Sequence, residues 1–183
     1  MEQNYTERDI REVLITEEEI QAKVKEVAAQ ISKDYAGKDL VAICILRGCC
    51  IFFSDLMRNV TIPVDMEFMA TSSYGNGAQS TGNVSILYDL QTDIKGKSVL
   101  IVEDIIDTGI TLRQLRKLLS GREPESIEIC VLLDKVDRRV TPVDVKYTLF
   151  KIPNEFVVGY GLDYAEKYRN YRQIGVLKPE IYE

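Results

Sequence analysis

The stretch Val99–Thr111, VLIVEDIIDTGIT, constrains this chain more than any other part of it. Val99–Val102 is a short apolar run with β-branched members, preceded by Lys97 and Ser98, and reads as a buried parallel strand rather than an amphipathic helix. The acids Glu103 and Asp104 follow at its expected end, where ligands bind in open parallel sheets. Next come two isoleucines, a third acid at Asp107, and Thr108-Gly109-Ile110-Thr111. Leu112, Leu115, Leu118 and Leu119 then recur at helical spacing. Strand, acidic turn, small-residue loop and helix are the parts of an anion site. Amides in the first helical turn lack partners, and the helix dipole favours negative charge there.

Three carboxylates beside such a cradle repel a phosphate unless positive charge lies between them. Magnesium meets that need, because it takes oxygen ligands and shares them with substrate phosphates. A sugar that turns cationic in its transition state meets it too. The chain has no histidine, which removes the Ser-His-Asp triad, the H-E-x-x-H zinc site and every imidazole base. A general base here is a carboxylate, Lys, Tyr or Cys.

The stretch resembles the phosphoribosyl-pyrophosphate signature of the type I phosphoribosyltransferases, in the V-E-D-I-I-D-T-G-x-T form of the hypoxanthine-guanine branch. The resemblance implies an α/β fold, with a mainly parallel central sheet flanked by helices, a small hood and a mobile lid loop. It implies transfer of the 5-phosphoribosyl group from phosphoribosyl pyrophosphate to hypoxanthine or guanine, giving IMP or GMP and pyrophosphate. Glu103, Asp104, Asp107, Thr108, Gly109, Ile110 and Thr111 match the substrate-binding motif, with Asp107 as the catalytic base. Glu103 and Asp104, with Asp163 further on, are the implied magnesium contacts. Ile110 departs from members that carry Lys at that position, which leaves the phosphate to main-chain donors.

Elsewhere the pattern alternates between periods. Thr16-Glu17-Glu18-Glu19 is a capping box, and Ile20, Val24, Val27 and Ile31 continue a helix that Gly37 stops. Arg8–Ile15 before it reads as an extended or irregular arm. Leu40–Leu46 is a second buried strand, followed by Arg47-Gly48 and a helix through Phe52, Phe53, Leu56 and Met57. Arg47 and Gly48 match the family's pyrophosphate loop, often built with a non-proline cis peptide, and Arg169 matches a further pyrophosphate contact. Val64–Thr71 and Val84–Tyr88 are strand-like. Between them, Ser72–Asn83 has no apolar periodicity and resembles the lid, with Ser73 and Tyr74 as its closing pair. Ser126–Leu133 is another buried strand, ending at Lys135, which matches the purine-contacting lysine. Arg138 and Arg139 read as surface residues. After strand-like Tyr147–Ile152, the run Phe156–Tyr164 resembles the purine-binding segment, with Phe156 to stack on the base and Val157 and Asp163 at its edge. Ile174–Leu177 is expected as a last edge strand.

A length of 183 residues predicts one domain, spanning 1–183 with a core of about 40–169 and a hood from the two ends. The formal charge of −6 lacks the basic footprint of a nucleic-acid binder. Cys44, Cys49, Cys50 and Cys130 form no C-x-x-C pair. No signal peptide or membrane-length apolar run appears, so a cytoplasmic protein is expected. The resemblance adds a homo-oligomer, dimer or tetramer. The rivals are a xanthine-preferring transferase and a non-catalytic RNA-binding regulator on the same fold.

Overall fold

The structure, a computed structural model, describes residues 5–73 and 84–182. α1 (Tyr5–Asp9) leads into β1 (Ile10–Ile15), α2 (Glu17–Asp34), β2 (Leu40–Leu46), α3 (Cys50–Asn59), β3 (Asp65–Ser73) and β4 (Val84–Tyr88). There follow β5 (Ser98–Ile106), α4 (Ile110–Ser120), β6 (Ser126–Asp134), a 3-10 turn at Val136–Arg138, β7 (Tyr147–Lys151), β8 (Val157–Val158), β9 (Ile174–Leu177) and α5 (Pro179–Tyr182). The capping box forms as expected: Thr16 Oγ1 accepts from the Glu19 amide, and Glu19 accepts from the Thr16 amide at 2.8 Å.

Six strands make the main sheet in the order β4-β3-β2-β5-β6-β7, parallel except for the antiparallel β3–β4 pair. Its strands are apolar on both faces, as a covered parallel sheet requires. Ala42, Cys44, Leu100, Val102, Cys130 and Leu132 pack toward α2 and α3. Val41, Ile43, Val99, Ile101, Ile129 and Val131 pack on the other side with Leu112, Leu115 and Leu119 of α4. Each such buried leucine contributes about 1.5–3 kcal/mol, so α4 is held by its apolar face and its N-terminus stays fixed against the sheet.

Two expectations need correction. β5 does not stop at Val102 but runs through both acids to Ile106. Its β2 side ends at the Cys44–Val102 pair, whereas β6 continues pairing it through Glu103–Val131, Ile105–Leu133 and Ile106–Asp134. The acids therefore sit on a strand with one supported edge and one open edge. β9 is no edge strand either. It is the middle of a second, antiparallel sheet, β1-β9-β8, which joins the start of the chain to the Val157 segment. No helix among the described residues is long and apolar enough to cross a membrane.

Candidate active site

The C-terminal ends of β2, β5 and β6 converge, and the predicted residues divide between the two sides of β5. On one side a cavity of about 130 Å³ is lined by Glu103, Asp107, Thr108, Gly109, Thr111 and Leu112, with Ile105 and Ile106. Gly109 starts α4 with no side-chain cap, so the first amides of the helix remain available to an anion. Thr108 Oγ1 stands 3.4 Å from the Ile110 amide. The Thr108 carbonyl accepts from the amides of Val140 (3.1 Å) and Thr141 (3.0 Å), which straps the loop from behind.

On the other side lies the Asp104 carboxylate. Glu103 and Asp104 are only part-exposed. Burial first, and the neighbouring Asp104 charge second, push the Glu103 carboxyl well above the usual carboxylate range. Burial pushes Asp104 up to about 6, against the opposing pull of the Ile105 amide at 2.7 Å and the Arg169 charge. Neither acid has a protein cation bonded to it among the described residues.

Backbone packing fixes the loops around Asp104. The Leu46–Arg47 peptide is cis. Gly48 lies so close that a Cβ there would stand 1.7 Å from Asp104 Oδ2. Gly161 in turn backs onto Gly48: a Cβ on it would stand 2.0 Å from the Gly48 carbonyl oxygen. Arg169 Nη1 donates to the Gly161 carbonyl at 2.8 Å, and the Gly161 amide donates to the Arg169 carbonyl at 2.9 Å. Arg47, Gly48, Asp104, Gly161 and Arg169 are thus one packed unit. Asp163 pairs with Arg169 at 2.8 Å. Among the described residues no three acidic, Cys or His side chains converge as a metal cluster, so the expected set Glu103, Asp104 and Asp163 is not a preformed cage.

The purine-side residues gather at the end of β6. The Lys135 amide donates to the Ile106 carbonyl at 3.0 Å, and burial pulls the ammonium pKa below its ordinary value, with Asp107 and Glu155 opposing. That ammonium has no hydrogen-bond or ion-pair partner among the described residues. Phe156 stacks on Tyr182 at 4.7 Å and meets Tyr164 edge-on at 5.7 Å, yet remains 36% exposed. Val157 pairs with Val176 of β9 and its side chain is buried. Of the lid pair, Ser73 closes β3, while Tyr74 and the rest of the lid to Asn83 lie outside the described residues.

Sequence reasoning missed three contributors. Arg138 is exposed, as expected, yet its Nε donates to Asp107 Oδ1 at 2.9 Å, and the half-buried Arg139 pairs with Asp134. Glu166 bonds both Arg47 and Arg169. The tandem arginines just after Asp134-Lys135 were a usable signal for the first two. Glu166 carried none.

Residues 14–165 match the phosphoribosyl transferase domain family. A hypoxanthine-guanine phosphoribosyltransferase from Staphylococcus aureus is 52% identical over 174 residues, covering 95% of this chain and 97% of that protein. A protein of the same name from Streptococcus thermophilus is 46% identical over 176 residues, covering 96% and 98%. The crystal structure of a hypoxanthine phosphoribosyltransferase from Staphylococcus aureus superposes with a TM-score of 0.97 at 49% identity, covering all of both chains. A motif first met as a strand, three acids and a helix, now seen around one cleft, agrees with these matches: the chain belongs to the phosphoribosyl transferase family.

Proposed function

We propose that this protein is a purine-salvage enzyme that joins hypoxanthine or guanine to phosphoribosyl pyrophosphate, releasing pyrophosphate and IMP or GMP. The observation that carries the reading is the division of the cleft by β5. A helix-capped cavity lined by Asp107, Thr108, Gly109 and Thr111 lies on one side, and a unit holding Arg47, Gly48 and Arg169 on the other. That spacing of one anion site from another, with carboxylates between, suits a ribose carrying a 5′-phosphate and a diphosphate.

The roles follow from chemistry. The free amides of α4, with Thr108 and Thr111, bind the 5′-phosphate. Arg47, Gly48 and Arg169 bind the diphosphate and hold it as it leaves. Glu103 and Asp104 face the ribose and stabilise positive charge that develops as the glycosidic bond breaks. Asp107 holds the proton of a purine ring nitrogen. Lys135 donates to the 6-oxo group, Phe156 stacks on the ring, and Val157 and Asp163 border its edge. Magnesium suits the oxygen donors here: among the described residues neither Glu103 nor Asp104 is paired by a protein cation, and each carboxylate would hold it from its own side of β5. When bound, it would neutralise the diphosphate and polarise the leaving group. Ser73 and Tyr74 would close over the reacting centre.

We read residues 1–183 as one such domain, acting in the cytoplasm as a homo-oligomer without nucleic acid or membrane partners. A nucleobase panel with phosphoribosyl pyrophosphate and magnesium, scored by nucleotide formed, tests this reading. Hypoxanthine and guanine should react and adenine almost not at all, with excess chelator abolishing turnover. Product formation from adenine at a comparable rate, or full activity in chelator, would overturn it.

A further inference from the structure

Both arginines assigned to pyrophosphate are already engaged, and by one carboxylate. Glu166 Oε1 accepts from Arg47 Nη2 at 2.7 Å, and Glu166 Oε2 accepts from Arg169 Nη2 at 3.1 Å. Ala165 (φ +49°) and Glu166 (φ +63°) are the two left-handed central residues of a tight turn closed by the Tyr164–Lys167 bridge, and that turn carries Glu166 beside the arginines. The Glu166 amide is tied to Asp163 Oδ2 at 2.9 Å. Carboxylate and phosphate oxygens present similar acceptors to a guanidinium.

Resting on the transferase reading above, we propose that Glu166 is a built-in competitor for pyrophosphate. Its carboxylate occupies the two guanidiniums when no diphosphate is bound and gives way when one arrives, and so lowers affinity for phosphoribosyl pyrophosphate and pyrophosphate alike. The two cations play unequal parts. Arg169 has two further partners, the Gly161 carbonyl and Asp163. Arg47 has only Glu166 among the described residues. Exchange therefore turns on Arg47. Both members of the Arg47–Glu166 pair are largely exposed, so the pair is weak and a diphosphate, with more charge, displaces it readily. For the enzyme the consequence is weaker retention of pyrophosphate, because the carboxylate returns to the vacated arginines.

The test is calorimetric titration of magnesium pyrophosphate into the wild-type chain, Glu166→Gln, Glu166→Asp and Arg47→Gln, alongside steady-state kinetics. Glu166→Gln should bind pyrophosphate about 1.5–5-fold tighter, the range set by a lost exposed ion pair. The KM for phosphoribosyl pyrophosphate should fall in parallel, while that for the nucleobase stays put. Glu166→Asp, which keeps the charge, should lie between. In an Arg47→Gln background the Glu166→Gln gain should shrink by more than half. If Glu166 merely positions Arg47, Glu166→Gln will bind pyrophosphate equally or more weakly, and the proposal is wrong. Failure of the transferase reading looks different: the wild-type chain forms no nucleotide, while the titration still reports competition at the arginines.

Discussion

Replacing Gly161 by Ala tests whether the packed unit around Asp104 governs the reaction. The new Cβ would meet the Gly48 carbonyl oxygen at 2.0 Å, where ordinary contact begins at 3.4 Å. One of the two loops must then retreat by about 1.4 Å, because the interior is close-packed. Gly48 cannot move toward the sheet, since it already rests on the Asp104 carboxylate. The displacement therefore passes into Arg47, Asp104 or Arg169. Gly161 also has φ +106°, which costs an L-residue about 1–2 kcal/mol, and overpacking adds about 1–3 kcal/mol. At about 2–4 °C per kcal/mol for a chain of this size, Tm should fall by roughly 4–20 °C. A misplacement near 1 Å should lower kcat/KM for phosphoribosyl pyrophosphate by about 10²-fold. Gly37→Ala is the control. Gly37 has φ +76° but nothing within 4 Å of its added Cβ, so it carries the backbone penalty without the collision. It should lose stability and keep full activity. Differential scanning calorimetry with initial-rate kinetics reads both quantities. Activity within threefold of wild type in Gly161→Ala, or equal losses in Gly37→Ala, would refute the reasoning.

Asp107→Asn keeps the shape and removes the basicity, so kcat should fall by about 10²–10⁴ with substrate binding less affected; a kcat within threefold of wild type moves the base elsewhere. Lys135→Ala should lower kcat/KM for both oxopurines and narrow a preference over adenine that can reach about 10⁴–10⁵, which competition assays measure directly. Asp104, raised to about 6, must ionise to stabilise positive charge, so kcat/KM for phosphoribosyl pyrophosphate should drop as pH falls through about 6. Stability runs the other way. The native carboxyl keeps a proton that the unfolded chain has released, so this group weakens the fold as pH rises from about 4 to beyond 6. A pH–rate profile flat from 5 to 8 would exclude the role given to Asp104.

What was legible in the sequence is what local pattern can encode. β2 and β4 match their expected bounds because apolar runs end at Arg47 and Asp89. The cap of α2 is written in Thr16 and Glu19. The extent of β5 was hidden: Glu103 and Asp104 look like a turn locally, and only the distant partners Val131 and Leu133 on β6 keep that stretch in the ladder. The placement of β9 was hidden for the same reason, since its neighbours are Ile10–Ile15 and Val157–Val158. In the cleft, the motif residues were readable, but their division between two sides of one strand was not. Glu166 was invisible because a surface glutamate in a turn looks the same whether it faces water or two arginines.

The middle position of β9 also sets an order of events during synthesis. Domains assemble as the chain emerges, at about 5–20 residues per second. The main sheet and the loop before α4 are complete once β7 has appeared. Val157–Val158, by contrast, has no strand partner until Ile174–Leu177 arrives. A ribosome-bound chain that has reached β7 but not β9 therefore has every strand of its main sheet while the second sheet is still missing its middle strand. Val157, Ile174 and Val176 belong to the same apolar core as α2, α3 and β2, so that core closes only when β9 has taken its place between β1 and β8.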